Sequence, residues 1–187
     1  MPPKVKITKE EIIEAAIDII RKNGEGSLNA RSIAASIGCS TQPIFSNFES
    51  MEDLQEHICA AAYEIYLGFL EKEAKSDKYP RYKAFGMGYI RFAEEEKELF
   101  KLLFMCDRKG ERPNFTVDFT NSVEMIMKMH SIPREKAELI HLEIWISIHG
   151  IATMLATSFI SFNWDFISDM VSDVYNGILL RHLSEGK

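Results

Sequence analysis

The chain has 187 residues, 46% of them hydrophobic and 27% charged, with a net charge of −6. That apolar share is enough for a core in one large or two small helical units. No unbroken apolar run reaches the roughly 18–20 residues that a bilayer requires, and the polar start MPPKVKITKEE does not read as a secretory leader, so a cytoplasmic protein with no membrane partner is expected.

Everything along the chain reads as helix, because no run alternates apolar and polar residues over strand length. Thr8-Lys9-Glu10-Glu11 has the form of a capping box. Ile12, Ile13, Ala16, Ile17 and Ile20 then stripe a first helix that stops at Asn23-Gly24. Residues 27–48, SLNARSIAASIGCSTQPIFSNF, have the layout of a helix-turn-helix. Asn29 is placed to cap the second helix, which carries Ile33, Ala34 and Ile37 and breaks at Gly38. Ser40 is placed to cap the third, with Pro43 in its first turn. Ile44 and Phe48 point inward there, while Thr41, Gln42, Pro43, Phe45, Ser46 and Asn47 lie outward or at the rim. A short helix with a small polar face is what a DNA major groove can admit and read.

Ser50 opens a long fourth helix with Leu54, Ile58, Ala61, Ile65 and Phe69 inward, and a polar break at 74–80, AKSDKYP, separates head from body. Helices follow at about 82–96, with Phe85, Tyr89, Ile90 and Ala93 on one side, and at about 98–106, apolar nearly all round. After the polar loop 107–114, a helix at about 115–130 carries Phe119, Val123, Ile126 and Met129. Ile132-Pro133 starts a long eighth helix running to about Phe159, and Asn163 caps a ninth to about Leu183. The fold class is therefore all-α with about nine helices. Residues 1–50 are expected to form a DNA-binding head, and residues 51–187 a regulatory, ligand-binding and dimerisation body.

Charge is divided unevenly. Residues 1–48 hold six basic and five acidic groups, net +1, and residues 49–187 hold 16 basic and 23 acidic groups, net −7. The acid sits mostly outside the head, where Lys4, Lys6, Lys9 and Arg31 can face phosphates. Weak non-specific affinity leaves selectivity to base contacts and dimer geometry.

The capped first helix, the segment RSIAASIGCSTQPIFSNF, the Ser50-led fourth helix and the helical remainder resemble the TetR family of bacterial transcriptional repressors. The specific part spans residues 8–58, and Trp145-Ile146-Ser147-Ile148-His149-Gly150 resembles a Trp-x-x-x-His-Gly motif of one C-terminal subclass. The resemblance implies a homodimer that binds double-stranded operator DNA and is released by a small hydrophobic effector in a cavity of the body. It puts Thr41, Gln42, Pro43, Phe45, Ser46 and Asn47 on the recognition helix, and Thr8, Asn29 and Arg31, with Lys6, near backbone phosphates. Phe45 stands where the family usually has Tyr, and Met51 near a usual Lys, so two phosphate contacts are expected to be missing.

The residues themselves leave alternatives open. Gln42 either pairs with a base edge, most naturally adenine N6/N7, or is an exposed helical glutamine. Thr41 and Pro43 either touch a thymine methyl or only start the helix. Ser46 and Asn47 reach phosphate or base, or bond locally, and Phe45 contacts the groove or packs on the first helix.

The body's Met and Phe residues line an adaptable cavity or fill a core. Trp145 and His149, one turn apart, are expected to line a pocket with Tyr89, Phe104 and Met125. The last two helices are apolar over more than one face, so Ile148, Ile151, Ala152, Leu155 and Phe159 with Val171, Val174 and Ile178 are expected to form a two-fold, four-helix interface. Cys39, Cys59 and Cys106 lack metal spacing and read as reduced, buried thiols. Glu138, His141 and His149 could share a helix face, but no second cluster completes a metal site, and no nucleophile motif or phosphate loop is present. No cofactor, metal or enzymatic activity is expected. A ligand-independent regulator or activator with the same head, or a helical carrier without DNA function, are the other readings.

Overall fold

The computed structural model describes residues 7–106 and 117–184 and, among them, forms nine α-helices and no strand. The helices are α1 (Lys9–Asn23), α2 (Ala30–Ile37), α3 (Gln42–Asn47), α4 (Met51–Lys75), α5 (Arg81–Glu95), α6 (Lys97–Phe104), α7 (Val117–His130), α8 (Arg134–Ala156) and α9 (Trp164–Ser184). Their ends are set by local chemistry. The Glu11 N–H donates to Thr8 Oγ1 at 3.2 Å and the Thr8 N–H to Glu11 Oε2 at 2.8 Å, a complete capping box. Asn29 Oδ1 accepts from the N–H groups of Arg31 and Ser32, both at 3.0 Å. Ser50 and Asn163 cap α4 and α9 in the same way. Gly24 and Gly38 close α1 and α2 at φ 78° and 76°, left-handed values that cost glycine nothing.

The chain divides into two compact units, residues 1–67 with 96–106, and residues 68–95 with 107–187. These differ from the stretches 1–50 and 51–187. Residues 51–67 of α4, about two thirds of that helix, and all of α6 fall in one unit with α1–α3.

In the first unit α1 packs against α2, α3 and α6. Ile12, Ile20, Ile33, Ile44, Leu54 and Ile58 are fully buried, each contributing about 1.5–3 kcal/mol relative to exposure. The α4 stripe differs in phase from the sequence expectation. After Leu54 and Ile58 the buried residues are Ala62, Tyr66 and Leu70, whereas Ala61, Ile65 and Phe69 are half-buried. Four-residue steps drift round a helix of 3.6 residues per turn, and the neighbours choose which row is covered.

In the second unit α8 packs against α5, α7 and α9. Tyr82 and Tyr89 of α5 meet His141 and His149 of α8, spacings of about two turns on both helices, so the two run side by side in the same direction. A Cβ on Gly88 would lie 2.9 Å from the Leu70 Cα, so the absence of a side chain there lets α5 approach the end of α4. Met129, expected inward, is 51% exposed, while Ser122 on α7 is buried beside Val123 and Ile126. By length and composition α8 could cross a bilayer, with an 18-residue window of mean hydropathy 1.5. Glu138 and Glu143 interrupt its apolar sequence, so it holds no long unbroken apolar run. In the single chain 44% of that window is buried. The three cysteines form no disulfide, and the expected burial is not found: Cys39 and Cys59 are half-buried and Cys106 is exposed.

Candidate nucleic-acid interface

The α2–turn–α3 unit is held from below by Ile33, Ala34, Ile44 and Phe48, all buried. The Cys39 N–H donates back to the Ala34 carbonyl at 2.9 Å across the Gly38 turn. The helix begins one residue later than expected: its N-cap is Thr41, whose side chain makes no capping bond, and Ser40 does not cap. Pro43 sits in the first turn, where a missing N–H leaves nothing unsatisfied. Gln42, Phe45 and Ser46 are exposed, and Thr41 and Pro43 half-buried. Phe45 is 53% exposed, so packing on α1 does not consume it.

Two side chains are drawn into the helix. Ser46 Oγ donates to the Gln42 carbonyl at 2.8 Å. Asn47 Nδ2 donates to the Pro43 carbonyl at 2.8 Å and to the Ile7 carbonyl at 3.3 Å, tying the end of α3 to the residues before α1. Of the two readings of Asn47, the local hydrogen bond is the one formed, and the contact to Ile7 adds to it. Gln42 makes no side-chain hydrogen bond within the described residues, and its amide is open to a partner. Around this face Thr8 and Asn29 are exposed caps, Arg31 is exposed and forms no ion pair among the described residues, and Lys9 lies over the Phe48 ring at 5.0 Å. Arg21 is unavailable, since it forms a two-point bond to Glu96 at 2.9 and 2.7 Å. Lys6 lies outside the described residues.

In the second unit Trp145 stacks on His149 with 5.2 Å between rings and 17° between planes, and Tyr89 Oη lies 2.8 Å from His149 Nδ1. Burial lowers the His149 pKa, so the ring is neutral in this cluster. Three of the five expected ligand residues therefore meet, with Met125 half-buried on α7. Phe104 belongs to the first unit, against Tyr66 and Phe100.

A cavity among the described residues of the second unit lies apart from these five residues, and none of them lines it. Its volume is about 240 Å³. Pro80, Tyr82 and Lys83 form one side, Ile144 and Ile148 of α8 another, Val171, Ser172, Tyr175 and Asn176 of α9 a third, and Met129 closes it. Tyr82 Oη is 2.8 Å from His141 Nδ1, and Tyr175 Oη 2.8 Å from His130 Nε2. Burial pushes the His141 pKa down to about 4 and the Tyr82 pKa up, so both are neutral. Lys83 Nζ donates to Ser168 Oγ at 2.7 Å and Ser172 Oγ at 2.8 Å. One sequence signal could have found this cavity: Lys83 lies in phase with Met87 and Ile90, a charge on an otherwise buried stripe. Among the described residues no three His, Cys, Asp or Glu side chains stand together to hold a metal ion; Glu138 pairs with Arg134 instead.

Most of the expected dimer residues are covered within the single chain. Ile148, Ile151, Ala152, Leu155 and Val171 are already buried in the single chain, Val174 and Ile178 are half-buried, and of the eight only Phe159, at 79%, is exposed. The side of α8 left uncovered is the opposite one: Leu139, Leu142 and Ile146, continued by Gly150. On α9 it includes Gly177 and Leu180. A Cβ on either glycine would meet nothing within 4 Å.

No family model matches the chain. It is 20% identical over 159 residues, 81% of its length and 72% of the relative's, to a protein of Mycobacterium tuberculosis described as an uncharacterized HTH-type transcriptional regulator. A TetR-like transcriptional regulator from Rhodococcus sp. RHA1 matches its structure with TM-score 0.60 at 16% identity, covering 100% of both chains. A TetR variant from Acinetobacter baumannii in complex with minocycline matches with TM-score 0.52 at 14% identity, over 92% of this chain and 93% of the other. From the order of its helices and these likenesses, the chain has the all-α fold of the TetR-like transcriptional regulators.

Proposed function

We propose that this chain is a cytoplasmic DNA-binding transcriptional repressor, and not an enzyme, that acts as a homodimer and is released from its operator by a small hydrophobic ligand. The observation that carries it is the exposed face of α3, with Gln42, Phe45 and Ser46 outward on a helix-turn-helix whose underside is buried. In such a dimer the two α3 helices enter successive major grooves about 34–36 Å apart. Gln42 reads a base edge, Phe45, Thr41 and Pro43 make apolar contacts, and Arg31, Lys6, Thr8 and Asn29 meet phosphates. Asn47 supports the helix and does not read bases. The two protomers pair through the Leu139–Leu142–Ile146 face of α8 and the Leu180 side of α9, where an apolar stripe would otherwise stand in water.

The minocycline complex of the A. baumannii protein supports a ligand in the body, and the 240 Å³ cavity supplies room for one. Residues of α4 belong to both compact units, so occupancy can reach the head through that helix, by as much as the ligand's affinity differs between the two states. Selection of binding sites from random duplex DNA tests the proposal. A two-fold symmetric site is expected, and recovery of no enriched sequence would refute it.

A further inference from the structure

The cavity of the second unit has one feature that an apolar guest alone does not require. Its walls are mainly apolar or aromatic, with Ser172 and Asn176 as neutral polar groups, and the hydroxyls of its two tyrosines are already engaged by His141 and His130. Lys83 is the charged group lining it. The ammonium has three N–H donors; two go to the neutral hydroxyls of Ser168 and Ser172, and the charge also lies 4.9 Å from the Tyr79 ring. No carboxylate among the described residues pairs with it. A half-buried cation held only by neutral groups retains much of its desolvation cost. An anion placed beside it would gain a charge-assisted hydrogen bond, about twice as strong as a neutral one.

Resting on the proposal that the body takes a small ligand, we infer that this ligand is an amphiphilic anion, with an apolar tail against Ile144, Ile148 and Val171 and a carboxylate paired with Lys83. The size follows by proportion. A cavity of about 150 Å³ accepts the six carbons of benzene, so about 240 Å³ accepts about ten heavy atoms. Met129, half exposed at the cavity, gives a flexible wall through which such a tail can enter.

Calorimetric titration of the full chain with octanoate, 1-octanol and octylamine tests this. Octanoate is expected to bind once per chain, at least about tenfold tighter than octanol by the charge-assisted bond, with octylamine weakest. Lys83→Gln keeps a donor toward the two serines and removes the charge, so the octanoate preference should fall to near unity while octanol binding persists. Lys83→Arg should retain the preference, and Val171→Phe should abolish binding of all three by filling the cavity. Equal binding of octanol and octanoate, an unchanged preference in Lys83→Gln, or no octanoate binding would each overturn the inference. DNA binding measured on the same preparations separates it from the regulator proposal. Intact DNA binding without octanoate binding removes only the anion, and octanoate binding without any DNA binding removes only the regulator.

Discussion

Replacing Gln42 by alanine separates a residue that reads DNA from one that holds the reading helix in place. In the free protein the Gln42 side chain is exposed and makes no hydrogen bond within the described residues, while its carbonyl accepts from Ser46. Alanine at this first helical position removes no internal contact, so folding stability should change by less than about 0.5 kcal/mol. In the complex a two-point contact to adenine contributes about 1–3 kcal/mol, or about 5- to 150-fold in Kd per half-site. One substitution alters both half-sites of a dimer, so the loss on a full operator should be about 2–6 kcal/mol.

Asn47→Ala should behave oppositely. It deletes donors to the Pro43 and Ile7 carbonyls, each worth about 1 kcal/mol, so the first unit loosens and affinity falls evenly across sequences. Fluorescence anisotropy on a selected operator at fixed salt, repeated site selection and urea melts would measure the two. If Gln42→Ala keeps both affinity and base preference while Asn47→Ala relaxes one base position, the assignment of roles on α3 is wrong.

Two further outcomes follow from the second unit. The His141 pKa lies near 4 because of burial, against about 6.5 in an unfolded chain. The unfolded state therefore binds more protons between these values, and stability present above pH 6.5 is lost as pH falls toward 4, by roughly 3 kcal/mol for this group. His141→Gln, which can still accept from Tyr82, should flatten that slope in urea melts; a slope that stays unchanged would mean another group titrates there. Separately, Ile146 is 57% exposed and Ile151 is 9% exposed, so Ile146→Glu should yield folded monomers, with dimer dissociation raised at least about 30-fold, whereas Ile151→Glu should unfold the chain. Light scattering and circular dichroism distinguish these, and a stable dimer in Ile146→Glu would place the interface elsewhere.

Helix ends and the helix-turn-helix were legible in the residues because they depend on contacts within a few positions. The Thr8–Glu11 box, the Asn29, Ser50 and Asn163 caps and the Gly24 and Gly38 breaks are such cases. So was the inward direction of Ile44 and Phe48. The Ser40 cap failed because Thr41 adopts helical φ and ψ just before α3, a matter of backbone path that a candidate hydroxyl does not reveal. Asn47 was ambiguous because its partner at Ile7 is 40 residues away.

Amino-acid order alone determined that the chain is helical, where most helices begin and stop, and which short one is small and polar enough to enter a groove. Only packing decided which side of α8 is covered. That helix is apolar nearly all round, so Ile148, Ile151 and Leu155 could equally have faced a second protomer, and it is α5, α7 and α9 that bury them and leave Leu142 and Ile146 outside. The cavity beside Lys83 was hidden for the same physical reason: its walls come from four segments far apart in sequence, and their meeting depends on how helices cross rather than on what any one of them contains.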